Sequence, residues 1–369
     1  MIVAFTRSST IFDDSRASKE LFAFLEAGYK VIVFGWDRSG KAVVECTELF
    51  KEYKDSIRFK FYSGSTGESK ISKIVSRMKW NKWLKSQLAS LKHIDIIHAC
   101  DYDTGCAVRK IANRMKIKYV YDIYDYYVDA HPVPAALKNI IENDETRIIN
   151  DATATIICTE ERKAQIKKAS PQKLIVIHNS PEVEELTSCN IQYDYVYCGS
   201  LYGGRLIEEI LSNYPDNCNL KFVFAGYGEY KGIAAELCSK YENFQYLGAI
   251  PYSEVIEAEK KSKVISAIYE PSKRNHQLCA PNKFYEALAL GKPVIVCRGT
   301  GIDSVVKKYK IGLVIEYTAD SFYSALETLL KNEDLCMEMG KRGRKLYDEK
   351  FKWSIMKNRL LETYCSILE

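Results

Sequence analysis

Short runs of β-branched and aromatic residues alternate along this chain with longer stretches of helical periodicity. The run Ile2 to Phe5 is followed by a helical pattern near Ser15 to Ala27 and by a second run, Lys30 to Phe34. A strand, a helix and a strand in this order form a βαβ unit, whose crossover helix makes the two strands parallel. The alternation continues with strands predicted at Ile57 to Tyr62, Ile94 to Ala99, Lys118 to Asp122 and Ala154 to Cys158, and with helices near residues 70–92, 104–115 and 135–150.

A second series of strand-like runs follows, again with helical patterns between most of its members. Its strands are predicted at Leu174 to Ile177, Tyr193 to Cys198, Lys221 to Ala225, Phe244 to Leu247, Val264 to Ile268, Pro293 to Cys297 and Gly312 to Ile315. At about 150 residues per domain, a chain of 369 residues has room for two domains. The sequence therefore predicts an α/β fold of two Rossmann-like, doubly wound parallel-sheet domains.

The boundary between these domains is predicted at His178-Asn179-Ser180-Pro181-Glu182, where a strand ends in turn-forming residues before an acidic, poorly periodic stretch. This boundary assigns residues 1–180 to the first domain and residues 181–349 to the second. Ligands of open α/β sheets collect beyond the carboxyl ends of the strands, so two such domains facing a cleft would carry out their chemistry there. After the second domain, residues 347–368 show the periodicity of an amphipathic helix.

The composition excludes several classes of protein. Hydrophobic residues make up 47% and charged residues 27% of the chain, which are globular proportions. The formal net charge of +5 does not require a nucleic-acid partner. The twelve cysteines include no C-x-x-C pair, which argues against a zinc ribbon or disulfide framework and indicates reduced thiols in a cytosolic protein. No stretch approaches the roughly 18 apolar residues of a spanning helix, so a soluble or peripherally attached protein is expected.

The segment Ala280 to Val296 has the pattern of a helix followed by a buried strand, with Pro281 in the first turn and Gly291 after the last. Asn282, Lys283 and Glu286 are spaced to share one face near the helix start. A helix amino terminus carries free N–H groups and about half a positive charge, which suits a phosphate. Lys283 adds a full charge, and Glu286 offers acceptors for ribose hydroxyls. The helix start together with Asn282, Lys283 and Glu286 suits a nucleotide diphosphate.

This segment resembles the donor-binding helix of glycosyltransferases with the GT-B fold, especially the family 4 group, and the likeness extends over most of the chain. Further motifs follow in the family's order: Asp14-Ser15-Arg16, Ala27-Gly28-Tyr29-Lys30-Val31, Asp95-Ile-Ile-His98-Ala-Cys100-Asp101, Asp151-Ala152, Cys158-Thr159-Glu160, Ile177-His178-Asn179, Cys198-Gly199-Ser200-Leu-Tyr-Gly-Gly-Arg205, Ala225-Gly226-Tyr227-Gly228 and Leu247-Gly248. Each motif is weak alone, but their order is specific. The resemblance implies an acceptor-binding first domain, a donor-binding second domain and a helix near residues 350–369 that crosses back onto the first domain.

The resemblance also implies roles for single residues. Arg205 and Lys283 would hold the donor diphosphate and Glu286 the ribose, while the backbone at Gly199 and Ser200 would approach the phosphates. The further expected site residues are Asn282, Arg274 and His276 on the donor side, Asp14, Arg16 and Asp103 on the acceptor side, and Asp101 and His98 as catalytic residues. Fixed cations stabilise the departing nucleotide without reorganisation, so this scheme needs no metal and no cofactor besides the nucleotide sugar.

Two departures from the family pattern stand out. Family 4 members usually carry two glutamates eight positions apart, but Leu278 stands eight before Glu286, and the nearest upstream acid is Glu270. The loop after Glu270 is also longer than usual, so residues 273–276 are expected to line the donor sugar in their own way. Cys100 replaces the second histidine of the family's His-x-His. Retention of the anomeric configuration is therefore an expectation from the family alone.

Several of these residues have a second interpretation. His98 lies within an apolar strand and is also compatible with a core histidine. Asp101 and Asp103 could activate the acceptor, cap the helix that begins at Thr104, or, as Asp-x-Asp, bind a metal as in glycosyltransferases of the other main fold. Arg205 could be a surface residue, although a cation at a helix start is poorly placed without an anionic ligand. Arg274 and His276 could be solvated loop residues.

Residues 69–92 contain seven Lys or Arg and no acid, with Trp80 and Trp83 among them. Basic side chains beside tryptophans suit an anionic bilayer surface. The membrane contact is predicted at Lys70, Lys73, Lys79, Trp80, Lys82 and Trp83. A solvated basic helix that covers the first sheet is the alternative, because Ile71, Ile74, Val75 and Met78 lie nearly opposite Trp80, Leu84, Leu88 and Leu91 on an ideal helix.

Together these features predict a cytoplasmic, hexosyltransferase-type glycosyltransferase, peripheral on the inner face of the membrane. It would move a sugar from a nucleotide diphosphate sugar to a glycan or lipid-linked acceptor hydroxyl in polysaccharide or lipid-linked glycan biosynthesis. Two alternatives stay open: a nucleotide-sugar epimerase of the same fold, and a non-catalytic donor-binding subunit of another transferase. An epimerase needs acid and base groups on both sides of the sugar, and these are not evident in the sequence.

Overall fold

The computed structural model describes residues 1–67, 69–183 and 189–368, with the backbone alone at Lys70. Its contacts divide the chain into two compact units. The first unit comprises Met1–Ile177 together with Lys357–Glu369, and the second comprises His178–Met356. The chain therefore passes from the first unit to the second at the start of the turn-forming segment.

The first unit is built on a parallel sheet that has seven strands within the described residues, in the order β3-β2-β1-β4-β5-β6-β7. The strands are β1 (Ile2–Thr6), β2 (Lys30–Asp37), β3 (Ile57–Ser63), β4 (Ile96–Cys100), β5 (Lys118–Ile123), β6 (Ala154–Ile157) and β7 (Leu174–Val176). The helices are α1 (Ser15–Glu26), α2 (Ala42–Leu49), α3 (Lys70–Ala89), α4 (Asp101–Met115), α5 (Tyr127–Ala130) and α6 (Ala135–Asp151). The strand order reverses at β1, so the carboxyl ends of β1 and β4 meet at the switch point of the sheet.

Burial of the central strands on both faces explains the near-continuous apolar runs in the sequence. Every residue of β4 is buried. Helix α3 covers this sheet with Trp80, Leu84 and Leu88, which have no exposed surface. Trp80 stacks on Trp36 of β2 with ring centroids 5.7 Å apart.

The second unit contains a parallel sheet with six strands in the described residues, in the order β10-β9-β8-β11-β12-β13. Its strands are β8 (Tyr193–Cys198), β9 (Phe222–Ala225), β10 (Phe244–Tyr246), β11 (Ser262–Ala267), β12 (Val294–Cys297) and β13 (Gly312–Ile315). Its helices are α7 (Ile207–Ser212), α8 (Lys231–Lys240), α9 (Tyr252–Lys260), α10 (Arg274–Gln277), α11 (Asn282–Ala289), α12 (Ile302–Tyr309), α13 (Ala319–Leu330) and α14 (Glu333–Leu346). The two doubly wound parallel sheets confirm the predicted fold class.

The last helix, α15 (Trp353–Leu368), begins in the second unit, and its residues from Lys357 onward belong to the first. Tyr364 is fully buried there and lies against Phe24 of α1, with ring centroids 4.6 Å apart. Lys357 pairs with Glu26 at the end of α1. Among the described helices, none has both the length and the apolar character needed to cross a bilayer.

Candidate active site

Two glycine loops of the second unit meet at the carboxyl ends of β8 and β9. The Gly199 N–H donates to the Ala225 carbonyl oxygen over 2.8 Å. Gly226 has φ +139°, and a Cβ added to it would collide with the Gly199 carbonyl oxygen. Only glycine lets the two backbones approach this closely. The half-buried backbone at Gly199 and Ser200 lies at the switch point of the second sheet, where such sheets bind ligands.

Lys283 extends from the first turn of α11 to this loop. Its ammonium group lies against Gly199, so that a Cβ at Gly199 would collide with Nζ. The ammonium is also 4.7 Å from the ring centroid of Tyr197, the penultimate residue of β8. Within the described residues Lys283 makes no ion pair shorter than 4 Å. The structure thus brings together Gly199, Ser200 and Lys283, three of the residues expected on the donor side.

Arg205 lies in the same cluster. Its guanidinium carbon is 5.3 Å from the ring centroid of Tyr269, which follows β11. Its charge also acts on the hydroxyl of Tyr197 and on the ring of His276. Arg205 is half-buried. Its neighbours therefore favour the donor-side interpretation over that of an isolated surface arginine.

The long loop after β11 packs against the turn at Gly204. Glu270 donates its N–H to the Gly204 carbonyl oxygen over 2.9 Å, and Lys273 pairs with the Glu270 carboxylate at 2.8 Å. His276 contacts the same turn, and burial lowers the pKa of its ring. Arg274 is exposed and bonds to Gln277 on its own helix, so its predicted donor contact finds no support in this arrangement. The sequence did not single out the Glu270–Lys273 pair, although both residues belong to the anomalous loop.

Glu286 is only 2% exposed and lies deeper than Asn282 and Lys283 of the same helix. Its Oε1 accepts a hydrogen bond of 2.9 Å from the Tyr252 hydroxyl at the start of α9. Asn282 is exposed at the first residue of α11. Glu286 is thus a buried acceptor on the same helix as Lys283. A ribose contact would use the part of the Glu286 carboxylate that does not accept from Tyr252.

In the first unit, a cluster of ion pairs occupies the carboxyl ends of β1 and β4. Arg7 follows β1 and pairs with Asp14 at 2.9 Å and with Asp101, while its guanidinium carbon lies 3.9 Å from the centre of the Tyr124 ring. Asp14 also caps α1 by accepting from the Ala17 N–H. The sequence reasoning missed Arg7, although its place directly after the first strand was a usable signal.

Asp101, the first residue of α4 directly after β4, takes the left-handed backbone region, with φ +61°. This conformation is costly for a residue with a Cβ and is common at functional sites. Its Oδ1 accepts from the N–H groups of Tyr124, at 2.8 Å, and Asp125, at 3.1 Å. Burial raises the pKa of Asp101 to about 6, although Arg7 acts against the shift. Asp101 therefore holds the end of β5 and does not cap its own helix.

Asp103 accepts from the Ser8 hydroxyl at 3.3 Å and lies 3.5 Å from Arg77 Nε of α3. Its carboxylate is thus turned toward the end of β1 and toward α3. Asp101 pairs with Arg7 and Asp103 with Arg77, so each carboxylate of the Asp-x-Asp sequence already has a cationic partner. Both remain on the side of the first sheet expected to bind the acceptor.

The expected catalytic role of His98 is contradicted by its burial. The ring has no exposed surface and stacks on Phe5 with centroids 4.6 Å apart. Its Nδ1 is 2.6 Å from the Tyr364 hydroxyl, and its Nε2 is 3.4 Å from Glu20 and 3.6 Å from Asp122. Burial opposes protonation, but Tyr364 and the other polar neighbours raise the pKa of His98 well above its usual value. The core interpretation of His98 is the correct one.

Arg16 is likewise internal, and its expected contact with the acceptor is wrong. Its side chain bonds to both carboxylate oxygens of Asp122, at 2.8 and 2.9 Å, and lies 3.1 Å from Glu20. It also donates to the Ile177 carbonyl oxygen. Glu20, His98 and Asp122 are close enough to share a metal ion, but Arg16 already pairs with both carboxylates. Sequence could not reveal this because His98, Asp122 and Ile177 lie far from Arg16 in the chain.

Helix α3 presents a different surface from the one expected. Trp80 has no exposed surface, so its predicted membrane contact is wrong. Trp83 is half-buried and packs on the core, and its membrane contact stays a prediction. Lys73, Lys79 and Lys82 are exposed, and the side chain of Lys70 lies outside the described part of the chain. The exposed apolar stripe of α3 consists of Ile71, Ile74, Val75 and Met78, which are 75%, 57%, 42% and 67% exposed.

Comparison with known families supports the chemistry suggested by the second unit. Residues 195–346, from β8 to the end of α14, match the family described as Glycosyl transferases group 1. The match is to a glycosyltransferase domain and covers less than half of the chain. This domain contains Gly199, Arg205, Lys283 and Glu286, and by it the protein is a glycosyltransferase. The narrower assignment to family 4 stays a prediction. No curated protein sequence matches the chain.

Solved structures share the fold along the whole length of this glycosyltransferase. Sucrose-phosphate synthase from Thermosynechococcus elongatus has a TM-score of 0.73 at 13% identity, covering 100% of this chain and 99% of that one. Anabaena HepE in complex with UDP and glucose has a TM-score of 0.71 at 13% identity, covering 99% and 100%. A mutant of S. aureus TarM, in complex with Fondaparinux, alpha-GlcNAc-glycerol and UDP, has a TM-score of 0.68 at 14% identity, covering 100% and 99%. These similarities establish the GT-B fold.

Proposed function

We propose that this glycosyltransferase moves a sugar from a nucleotide diphosphate sugar to an acceptor hydroxyl. The observation that carries the proposal is the Lys283 ammonium against Gly199, at the carboxyl end of β8 in a group 1 domain. The leaving diphosphate gains negative charge as the sugar becomes oxocarbenium-like. A cation fixed in advance stabilises that charge without reorganisation. The structure of HepE described with UDP-glucose supports a nucleotide sugar as the donor.

Each donor-side residue binds the part of the nucleotide sugar that suits its chemistry. Lys283 and Arg205 bind the diphosphate, and the backbone at Gly199 and Ser200 approaches it closely. Glu286 accepts from ribose hydroxyls. His276 and Lys273, folded against Gly204, line the sugar together with Glu270. Because Lys283 and Arg205 supply the positive charge, the reaction is proposed to need no metal and no further cofactor.

On the acceptor side we propose Asp101 as the proton acceptor. A pKa of about 6 leaves this carboxyl ionised at neutral pH and still basic enough to take a proton. Its strained backbone and its place beyond β4 support this role. Asp103 and Asp14 border the same end of the sheet. The family resemblance favours retention of the anomeric configuration and a glycan or lipid-linked acceptor.

The place of action is proposed to be the inner face of a membrane, where a lipid-linked acceptor would be available to a peripheral cytoplasmic enzyme. The basic residues of α3 and its exposed apolar stripe support this location. Apolar side chains gain by entering the headgroup region, and each nearby Lys or Arg adds on the order of 1 kcal/mol on an anionic surface.

Thermal unfolding in the presence of UDP, ADP, GDP and CDP, with and without EDTA, tests the proposal. A ligand that binds the folded state raises its stability by RT ln(1 + [L]/Kd), about 2.7 kcal/mol at a hundredfold excess over Kd. One diphosphate should stabilise the wild type with or without EDTA, and Lys283→Ala should lose that stabilisation. Lys307→Ala, which removes an exposed lysine of the same unit, is the matched control. If no nucleotide stabilises the wild type, the donor site is wrong.

Product analysis with the nucleotide sugar so identified separates the alternatives. A transferase releases the nucleoside diphosphate and extends an acceptor. An epimerase would change the nucleotide sugar without an acceptor, and a donor-binding subunit would bind it and form no product. Formation of an altered nucleotide sugar alone would overturn the proposed reaction.

A further inference from the structure

Glu259, near the end of α9, is a fully buried acid in the donor-binding unit. It has no exposed surface, and neither of its carboxylate oxygens finds a hydrogen-bond donor among the described residues. An ionised carboxylate without a donor is strongly disfavoured in such a place. Burial of this kind favours the neutral acid, which carries a proton of its own to donate.

The acceptor for that proton is on the facing helix α11. Glu286 is the acid that acts on Glu259, and burial together with the charge of Glu286 raises the pKa of Glu259 well above its usual value. Two buried carboxyl groups side by side do not both ionise, because the second negative charge is repelled by the first. The pair therefore retains one proton, which belongs to both groups in a titration.

The charged groups around Glu259 and Glu286 determine how many of these two carboxyls can be ionised. Lys283 of α11 is the cation that acts on Glu259, and it lowers the pKa. Tyr252 and Cys198 also interact electrostatically with both acids, and Tyr347 interacts with Tyr252. All three are neutral at physiological pH. Lys283 makes no ion pair shorter than 4 Å with either described carboxylate, so its charge supports at most one ionised group in the pair, and Glu259, which has no donor among the described residues, is the group that stays protonated.

We infer that Glu259 is a neutral carboxylic acid that donates a hydrogen bond to Glu286 and thereby positions it for the donor ribose. This inference rests on the proposed function of the same site. Tyr252 and Glu259, seven residues apart on α9, then supply two donors to one carboxylate of α11. Glu286 is held in one orientation before the nucleotide arrives, which reduces the ordering cost of binding.

The arrangement has a consequence for pH. When the pair loses its shared proton, a second negative charge appears beside Lys283. That charge competes with the diphosphate for the ammonium and frees Glu286 to turn. Nucleotide affinity should therefore be highest while the pair holds its proton, and should fall as pH rises through the pKa of the pair.

Calorimetric titration with UDP from about pH 6 to about pH 9 tests the inference on the full-length protein. The wild type should lose several-fold in affinity toward the alkaline end. Glu259→Gln, whose amide donates at every pH, should bind as the wild type does near pH 6 and show a flat profile. Glu259→Leu, which has no donor, should bind about tenfold more weakly at every pH. Glu257→Gln, at an exposed position of the same helix, should behave as the wild type.

Two results would overturn the inference: a Glu259→Gln profile that falls with pH like the wild type, or full affinity in a folded Glu259→Leu protein. Failure of UDP to bind the wild type would count against a uridine donor instead. The pair is then examined without a ligand by infrared difference spectroscopy at about pH 8, where exposed glutamates are ionised. The wild type should show a protonated carboxyl band that Glu259→Gln lacks, and its absence would refute the inference.

Discussion

Cationic side chains lie at the carboxyl ends of both sheets, but their ion pairing differs between the two units. In the first unit, Arg7 is paired with Asp14 and Asp101, and Arg16 with Asp122 and Glu20. In the second unit, the described neighbours of the Lys283 ammonium are a glycine backbone and an aromatic ring, with no ion pair shorter than 4 Å. The charges of the first unit pair with one another, whereas the second unit has a lysine outside any described ion pair, which we propose binds an anionic ligand.

The largest expected effect is on the stability of the first unit. Arg16→Met leaves Glu20 and Asp122 buried with a weaker counter-charge, and breaking a buried pair in this way costs about 3–5 kcal/mol. Urea unfolding with a spectroscopic probe measures the loss. Arg109→Met, which breaks a more exposed pair with Asp151, should change stability little. An Arg16→Met protein as stable as the wild type would show that these charges do not hold the unit together.

The next largest effect is expected from Lys283 of the second unit, which should contribute to catalysis and not to stability. Lys283→Ala should lower kcat/KM by about 10²–10³, because the leaving diphosphate loses its fixed cation. Its unfolding free energy without ligand should stay close to that of the wild type, since no ion pair is broken. Steady-state kinetics and urea unfolding of the same preparation measure both. A large loss of stability with unchanged kinetics would reverse the comparison between the two units.

The pH dependence of kcat/KM tests the proposed role of Asp101 as a base. As a base that must be ionised, it should make kcat/KM fall below about pH 6, where its carboxyl takes a proton. Asp101→Asn should lower the rate about hundredfold and remove that limb of the profile. Asp103→Asn is the neighbouring control and should keep the limb. An unchanged limb in Asp101→Asn would assign the titration to another group.

The stability of the first unit should follow the same group with a definite sign. Burial raises the folded-state pKa of Asp101 above that of the unfolded chain, so the folded state binds its proton more tightly. Ionisation of Asp101 therefore costs stability as pH rises from about 4 to about 6. Asp101→Asn should remove this part of the pH dependence, which urea unfolding across that range measures.

The smallest effect on catalysis is expected from α3. Replacement of Ile74 and Met78 together by Glu should reduce sedimentation with vesicles of anionic lipid several-fold and leave activity on a soluble acceptor unchanged. Val44→Glu, at an exposed apolar position of α2, is the matched control. Equal sedimentation of the α3 variant would leave the basic residues as the sole candidates for membrane contact. A loss of activity on the soluble acceptor would show that α3 serves the site itself.

Patterns local in sequence predicted the strands and helices well. The run Ile2 to Phe5 is β1, which ends one residue later at Thr6, and the segment that begins at Ala280 forms α11 and then β12. Glycines at 199 and 226 are likewise readable, because a close backbone approach excludes any side chain. These features depend on residues near one another in the chain, where spacing alone decides the result.

Exposure was the property that sequence could not supply. Trp80 and Arg16 were expected at surfaces, and His98 had both a catalytic and a core interpretation. All three are buried because residues distant in sequence pack against them. His98 meets Tyr364 from the last helix, and Arg16 meets Asp122 from β5. Glu259 drew no attention in the sequence, because a glutamate in an amphipathic helix is ordinarily solvated.

The sequence by itself determined the two parallel sheets, the glycine loop after β8 and the helix that carries Lys283 and Glu286. Periodicity and steric exclusion act over a few residues and leave a direct record in the order of side chains. Only the tertiary structure decided which charges are neutralised, which are left for a ligand and which carboxyl keeps its proton. Those outcomes depend on burial and on partners from distant elements, since the free energy of a charge is set by everything packed around it.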